Sequence, residues 1–211
     1  MQASNRITLA AATATVMVAL SAPSQAADWS DTYIGYHYGT QFAEPFNNKD
    51  ITKNIFNLSH VSGYNYGSNF FNVDLLLSDN TDPDAPGSTN GAHEVYVVYR
   101  HMLDLEKVSG TSFKFGPVRG VGVTAGFDFN TKTDAGYNSK KRMAVLGPTL
   151  MFDVPGFLNA TVAALWESNA PYNAFSQTST PRYSYDPHAA LLLAWAIPLS
   201  QSFPLTWLKA L

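Results

Sequence analysis

The stretch VGVTAGFDFN, residues 121–130, alternates without a break. Val121, Val123, Ala125, Phe127 and Phe129 are apolar, whereas Gly122, Thr124, Gly126, Asp128 and Asn130 are small or polar. Successive side chains of a strand point to opposite faces, so this period of two reads as a β-strand with one apolar and one polar side. A sheet of a soluble protein with one wet face has this pattern. So does a strand with lipid on one side and water on the other.

Working outward, the same period recurs in DTYIGYHYGT (31–40), NFFNVDLLLSD (69–79), HEVYVVYRHM (93–102) and FLNATVAALWES (157–168). The segments 54–66 and 142–154 are less regular strand candidates. Helical spacing fits none of these as well. Long polar joins (78–94, 130–142, 168–186) alternate with shorter ones (104–112, 153–157), the last a Pro-Gly turn. Long and short joins in turn are what an up-and-down antiparallel meander produces when one end carries the larger loops.

Strand length decides between core and lipid. A tilted membrane strand needs ~9–11 residues, while strands of soluble proteins commonly run ~5–6. The alternating runs here last about ten residues, with hardly a charge on the apolar side. The other side carries Asp74, Glu94, Arg100 and Asp128, which suit a water-filled lumen better than a packed core. Trp29, Tyr64, Tyr66, Trp166, Tyr183 and Tyr185 lie near strand ends, where interfacial aromatic girdles form. The expected fold is all-β, an up-and-down antiparallel transmembrane barrel; a secreted β-sandwich is the competing reading.

The remaining composition is consistent with that address. Arg6, the apolar run 7–20 and the small residues around Ser24-Gln25-Ala26 read as a secretory signal peptide over 1–26, leaving 27–211 as a single barrel domain. The longest later apolar run, 189–197, is about half the ~20 residues of a helical span and is bracketed by Pro187 and Pro198. A net charge of −3 argues against a nucleic-acid partner, and the absence of Cys excludes disulfides and thiolate chemistry. The expected location is the outer membrane of a Gram-negative cell.

The stretches 28–46, 112–130 (with Phe115-Gly116-Pro117 at a turn), 143–169 and 183–199 resemble the nucleoside-specific channel-forming family of outer-membrane porins, the Tsx-like proteins. The resemblance covers most of the mature chain and rests on the order of strands and turns. It implies a narrow, monomeric barrel of twelve strands, inserted by the barrel-assembly machinery, that passes nucleosides by facilitated diffusion without a cofactor, a metal or catalysis. Eight or nine strand candidates can be counted here, and FPLTWLKAL (203–211) starts a strand without completing a hairpin. The expectation is a C-terminally incomplete barrel.

For a solute path, aromatic faces suit bases and hydrogen-bonding side chains suit sugars. The resemblance points to Phe42, in TQFAEPF just beyond the first strand, as a residue lining the path; packing at a rim is the alternative. Parity adds Tyr33, Asn72, Asp74, Glu94, Tyr96, Arg100 and Asp128 as candidate substrate-binding residues on the polar side, with a bracing ladder of salt bridges as the plainer role. Glu94 and Arg100 lie six apart on one face, too far for a direct pair, so their partners are expected on neighbouring strands. His37, His60, His93, His101 and His188 raise a rim hydrolase, but Ser59-His60 and His93-Glu94 are adjacent and point to opposite faces. DNTDPDAPG (79–87) lacks the spacing of a Ca²⁺ loop and reads as a solvated loop. The basic segments 107–115 and 138–142 read as solvated strand ends, with contact to lipopolysaccharide as the functional alternative. Besides nucleoside passage, two other functions stand open: a barrel displaying its loops for adhesion or phage docking, and the hydrolase.

Overall fold

A computed structural model describes residues 27–196. The leader read over 1–26 and the strand read from Phe203 lie outside the described residues. The chain forms β1 (Trp29–Glu44), β2 (Asn47–Tyr64), β3 (Gly67–Ser78) and β4 (His93–Asp104). A one-turn helix α1 (Leu105–Ser109) follows, then β5 (Val118–Lys132), β6 (Arg142–Phe152) and β7 (Phe157–Asn169). Three two-residue strands, β8 (Tyr172–Asn173), β9 (Thr178–Ser179) and β10 (Tyr183–Ser184), precede β11 (His188–Ala196). No helix among the described residues is long and apolar enough to cross a membrane.

Every neighbouring pair is antiparallel and consecutive from β1 to β7; β11 then pairs with β7, and β10 extends that pairing at its upper end. β8 and β9 form a separate small hairpin. The architecture is therefore an all-β, up-and-down antiparallel sheet. β1 and β11 are its two ends, yet side chains of both line one cavity of about 720 Å³, so the sheet curls round on itself.

The seven strands β1 to β7 run from 11 to 18 residues, well beyond the ~5–6 usual in soluble domains. The joins 79–92, 133–141 and 170–187 gather at one end, as the alternation of long and short connections requires. That end also carries the two-residue turn Pro45-Phe46, where Phe46 takes a left-handed φ of 66°. The opposite end holds residues 65–66, 105–117 and 153–156.

Two elements depart from the sequence reading. The first strand does not stop at residue 40, and its partner does not begin at 54. The register shifts between Gly39 and Phe42 and again before Glu44. Such a bulge adds a residue to one strand and exchanges its two faces. Alternation in the sequence is broken there while pairing continues, which is why 41–53 does not look like strand. Phe42, placed beyond the first strand by its sequence context, therefore lies inside β1.

The two faces of the sheet are inverted relative to a soluble protein. In β5, Thr124, Asp128, Asn130 and Lys132 are buried, while Phe127 and Phe129 are 47% and 38% exposed. β7 repeats this with Thr161 buried and Val162 at 60%, and β11 adds Leu191, Leu193 and Trp195 to the exposed apolar side. Polar groups face inward and large apolar groups face out along the sheet, the reverse of the usual distribution. Inside, Thr124, Thr149 and Thr161 link their hydroxyls at 2.6, 2.7 and 3.3 Å. A small apolar cluster of Val145, Ala163 and Leu165, with Met143, Ala190 and Leu192, fills the inward side of β6, β7 and β11.

The small residues of the opening stretch also find their reason. Gly126 lies opposite Arg100 on β4, and a Cβ there would sit 2.8 Å from Arg100 Cδ and 2.1 Å from the Tyr99 carbonyl oxygen. Gly122 likewise leaves room for Met102, whose sulfur a Cβ would meet at 3.0 Å.

Candidate functional site

The inward face of the sheet carries three tiers of side chains, most of them polar. The middle tier begins with Asn57, whose amide donates to Asn72 Oδ1 at 2.7 Å and to Asp74 Oδ1 at 2.6 Å. Asn72 in turn donates to Asp74 Oδ2 at 3.0 Å, and Ser59 donates to Asn57 and Asn72. One strand further on, Tyr96 donates its hydroxyl to Asp128 Oδ2 at 2.9 Å, and Arg100 pairs with Asp128 Oδ1. The guanidinium also donates to the carbonyl oxygens of Tyr99 and Phe127. Register explains the pairing: Val98 stands opposite Asp128, which places Tyr96 and Arg100 diagonally to either side of it.

The tier nearest the long loops is a charge cluster. Lys53 pairs with Glu44 and lies 3.7 Å from Glu94, while Asn130 donates to Glu94. Lys132 lies 3.0 Å from Glu44, 3.0 Å from Asp82 and 2.8 Å from Asp134. The Phe42 ring sits beside this cluster, its centroid 5.6 Å from Lys53 Nζ, and packs over Gly39. A cation held against an aromatic face is favourable.

Two of the clustered acids come from loops. Burial raises the Asp82 carboxyl above its ordinary value even against the neighbouring Lys132 charge. For Asp134, burial acts in the same direction but is outweighed: hydrogen bonds from Lys132 and from the Tyr137 and Gly136 backbone hold it below the ordinary value. The segment 79–87, read from sequence as a solvated loop, is solvated at Asn80 and at 85–87 but not at Asp82. Asp82 is 1% exposed and Ala92 is fully buried, because the loop turns inward to meet Lys132. Ala92 N–H donates to Asp82 O at 2.6 Å, Ala135 N–H to Pro83 O at 2.9 Å and Ala174 N–H to Ala135 O at 2.7 Å. Three loops are thus tied into one cap over the polar face.

The third tier lies toward the short joins, where Asp31, Tyr33, Phe70, Arg100, Asn159 and Thr161 are among the residues lining the 720 Å³ cavity. Of the residues singled out from sequence, Asn72 with Asp74, and Tyr96 with Arg100 and Asp128, are brought together. Glu94 and Phe42 belong to the charge cluster, and Tyr33 to the cavity. Glu94 and Arg100 find partners on other strands, Lys53 on β2 and Asp128 on β5.

The sequence reading missed Lys53, Lys132, Glu44, Asn57 and Ser59. Asn57 and Ser59 alternate with Phe56 and Leu58, a period of two that could have disclosed them. Lys53 and Glu44 fall in the stretch disrupted by the bulge, and Lys132 sits where alternation fades into the following loop.

The other candidates are spread apart. His60 and His101 lie on the outward face, bonded to Thr32 Oγ1 at 2.8 Å and to Tyr64 and Asn69 at 3.1 and 2.9 Å. His188 is within 3.4 Å of the Asp186 carbonyl oxygen. Among the described residues no group of three or more His, Asp or Glu side chains is placed to hold a metal ion. The aromatic residues divide: Tyr64 and Tyr66 pair edge to face at one end and Tyr183 and Tyr185 at the other. Trp166 is exposed on the apolar side. Trp29 departs from the girdle reading, since it lies over Gly63 and lines the cavity. The basic segments 107–115 and 138–142 sit at opposite ends of the sheet, so they do not form one basic surface.

No family model, curated protein or solved structure matches this chain.

Proposed function

We propose that the chain is an outer-membrane β-barrel channel, of the Tsx-like nucleoside-channel type, through which small polar solutes and nucleosides in particular diffuse without turnover. The observation that carries this reading is the inverted sheet: large exposed apolar side chains outside, and several hydrogen-bonded polar networks inside, beside one small apolar cluster. In hydrocarbon each unpaired backbone group costs several kcal/mol, so only helices and closed barrels cross a bilayer. Strands of this length with this polarity fit the second class. The polar tiers fit weak, exchangeable contacts, because a site that bound tightly would stop flux. The resemblance in 28–46, 112–130, 143–169 and 183–199 favours nucleosides over other solutes of the same size. Phe42, Tyr33 and Tyr96 supply aromatic surface, and Asn72, Asp74, Glu94, Arg100 and Asp128 supply hydrogen-bonding groups.

Reconstituted into liposomes, the protein is expected to admit nucleosides faster than sugars of equal size, read as swelling rate. Equal rates would reduce the protein to a general pore, and no swelling with either would remove the channel reading. A second reading, a barrel that displays its loops for adhesion or phage docking, is favoured by the long-loop end, where Phe46 of the β1–β2 turn and Phe175 of the cap are exposed. Unimpaired swelling after removal of those loop side chains, with loss of surface binding, would favour it.

A further inference from the structure

We infer that the path along the inward face selects for cations over anions, with Asp74 and Asp31 as the residues that set the preference. The inference rests on the channel reading above. Its basis is an imbalance in pairing. The inward cations Lys53, Arg100 and Lys132 are already neutralised: Lys53 by Glu44, Arg100 by Asp128, and Lys132 by Glu44, Asp82 and Asp134. The carboxylates exceed them in number. Asp74 accepts only from the neutral amides of Asn57 and Asn72, and among the described residues no cationic side chain lies within ion-pair distance of it. Asp31 lines the 720 Å³ cavity and accepts only from the Thr32 backbone N–H, again with no ion pair among the described residues.

Paired charges present a dipole to a passing ion, whereas an unpaired carboxylate presents a full charge. Two such charges stand at successive depths of the same face: Asp74 is paired in register with Asn57 on β2, and Asp31 with Val61, four residues further along that strand. A confined, water-filled path with low-dielectric walls focuses their field, raises the local concentration of counter-ions and repels anions. Rings and rows of Asp or Glu are the usual means by which pores select cations. The fixed geometry of Asp74, held from both sides by amides, keeps its charge on the path.

The test is the reversal potential of the protein in planar bilayers across a tenfold KCl gradient at low ionic strength. A K⁺/Cl⁻ permeability ratio of roughly three or more is expected, in line with surface potentials of a few kT. It should fall toward one in Asp74→Asn and further in the double variant with Asp31→Asn. The Asn side chain has the size of Asp and retains an acceptor for Asn57. Both variants are therefore expected to assemble, which heat-modifiable migration on gels checks. The wild-type ratio should also fall at 1 M salt, where screening shortens to ~3 Å. A conducting protein with a ratio at or below one, or a ratio that neither substitution changes, overturns the inference and leaves the channel intact. Inserted protein that does not conduct overturns both.

Discussion

Asp128 shows how much one inward residue holds together. Its two carboxylate oxygens take Tyr96 on one side and Arg100 on the other, and the guanidinium is largely withdrawn from solvent. Replacing Asp128 with Asn keeps the shape and removes the charge, so Arg100 is left desolvated against neutral acceptors. A buried polar group that loses its partner costs about 1–3 kcal/mol. Asp128→Asn is therefore expected to lower the free energy of unfolding in detergent by that order, read from the shift of the denaturation midpoint. Arg100→Met in the same chain should recover part of the loss, because the stranded charge is then gone. A double-mutant cycle with no coupling between the two positions would contradict the pairing. The identity of this pair was half legible. Parity placed Asp128 and Arg100 on one face, but their contact depends on a cross-strand register that no single strand discloses. Gly126 belongs to the same arrangement and reads from sequence only as a small residue.

At the scale of elements, what could be read and what could not divide along the bulge in β1. Where alternation is unbroken, as in 69–79, 93–102 and 121–130, the strands and their faces were legible because a period of two is itself the geometry. Where the register shifts between Gly39 and Phe42, parity reverses, and the continuation of β1 and the start of β2 looked like loop. The cap was hidden for a different reason: acidic Pro- and Gly-rich loops look solvated unless a lysine such as Lys132 is known to wait beneath them. That cap has a definite pH response. Asp82, raised by burial, favours the folded loop as it takes up its proton; this contribution is lost as pH rises through its folded value. Asp134, which burial alone would raise but its hydrogen bonds hold low, contributes above the ordinary carboxylate value and is lost as pH falls through its lowered one. Both contributions are present together only around the ordinary carboxylate value, 3.8, which lies between the two shifted ones, so the cap should be firmest there. Amide exchange at Ala92 and Ala135, corrected for the intrinsic rate, is expected to show a protection maximum there. A monotonic rise of protection toward alkaline pH would contradict the assignment of the two acids.

For the whole molecule the governing fact is the exchange of inside and outside. A sandwich of the same strands would bury Phe127, Val162 and Leu193 between two sheets and leave Asp128 and Asn130 wet. Here those apolar side chains point away from the sheet while the polar ones are enclosed. The sequence could show that the strands have two unlike faces and are long. It could not show that the sheet curls toward its polar side, since curvature arises from register and twist accumulated over many strands. The measurement that bears most directly on lipid cover uses the absence of native cysteine. Single Cys variants across 121–130, spin-labelled in reconstituted protein, report access of lipid-soluble oxygen against a water-soluble nickel chelate. Oxygen access should peak at 121, 123, 125, 127 and 129 and chelate access at the positions between. If the odd positions exclude both reagents, or admit the chelate more readily than oxygen, the apolar side is covered by protein or water and the membrane account fails.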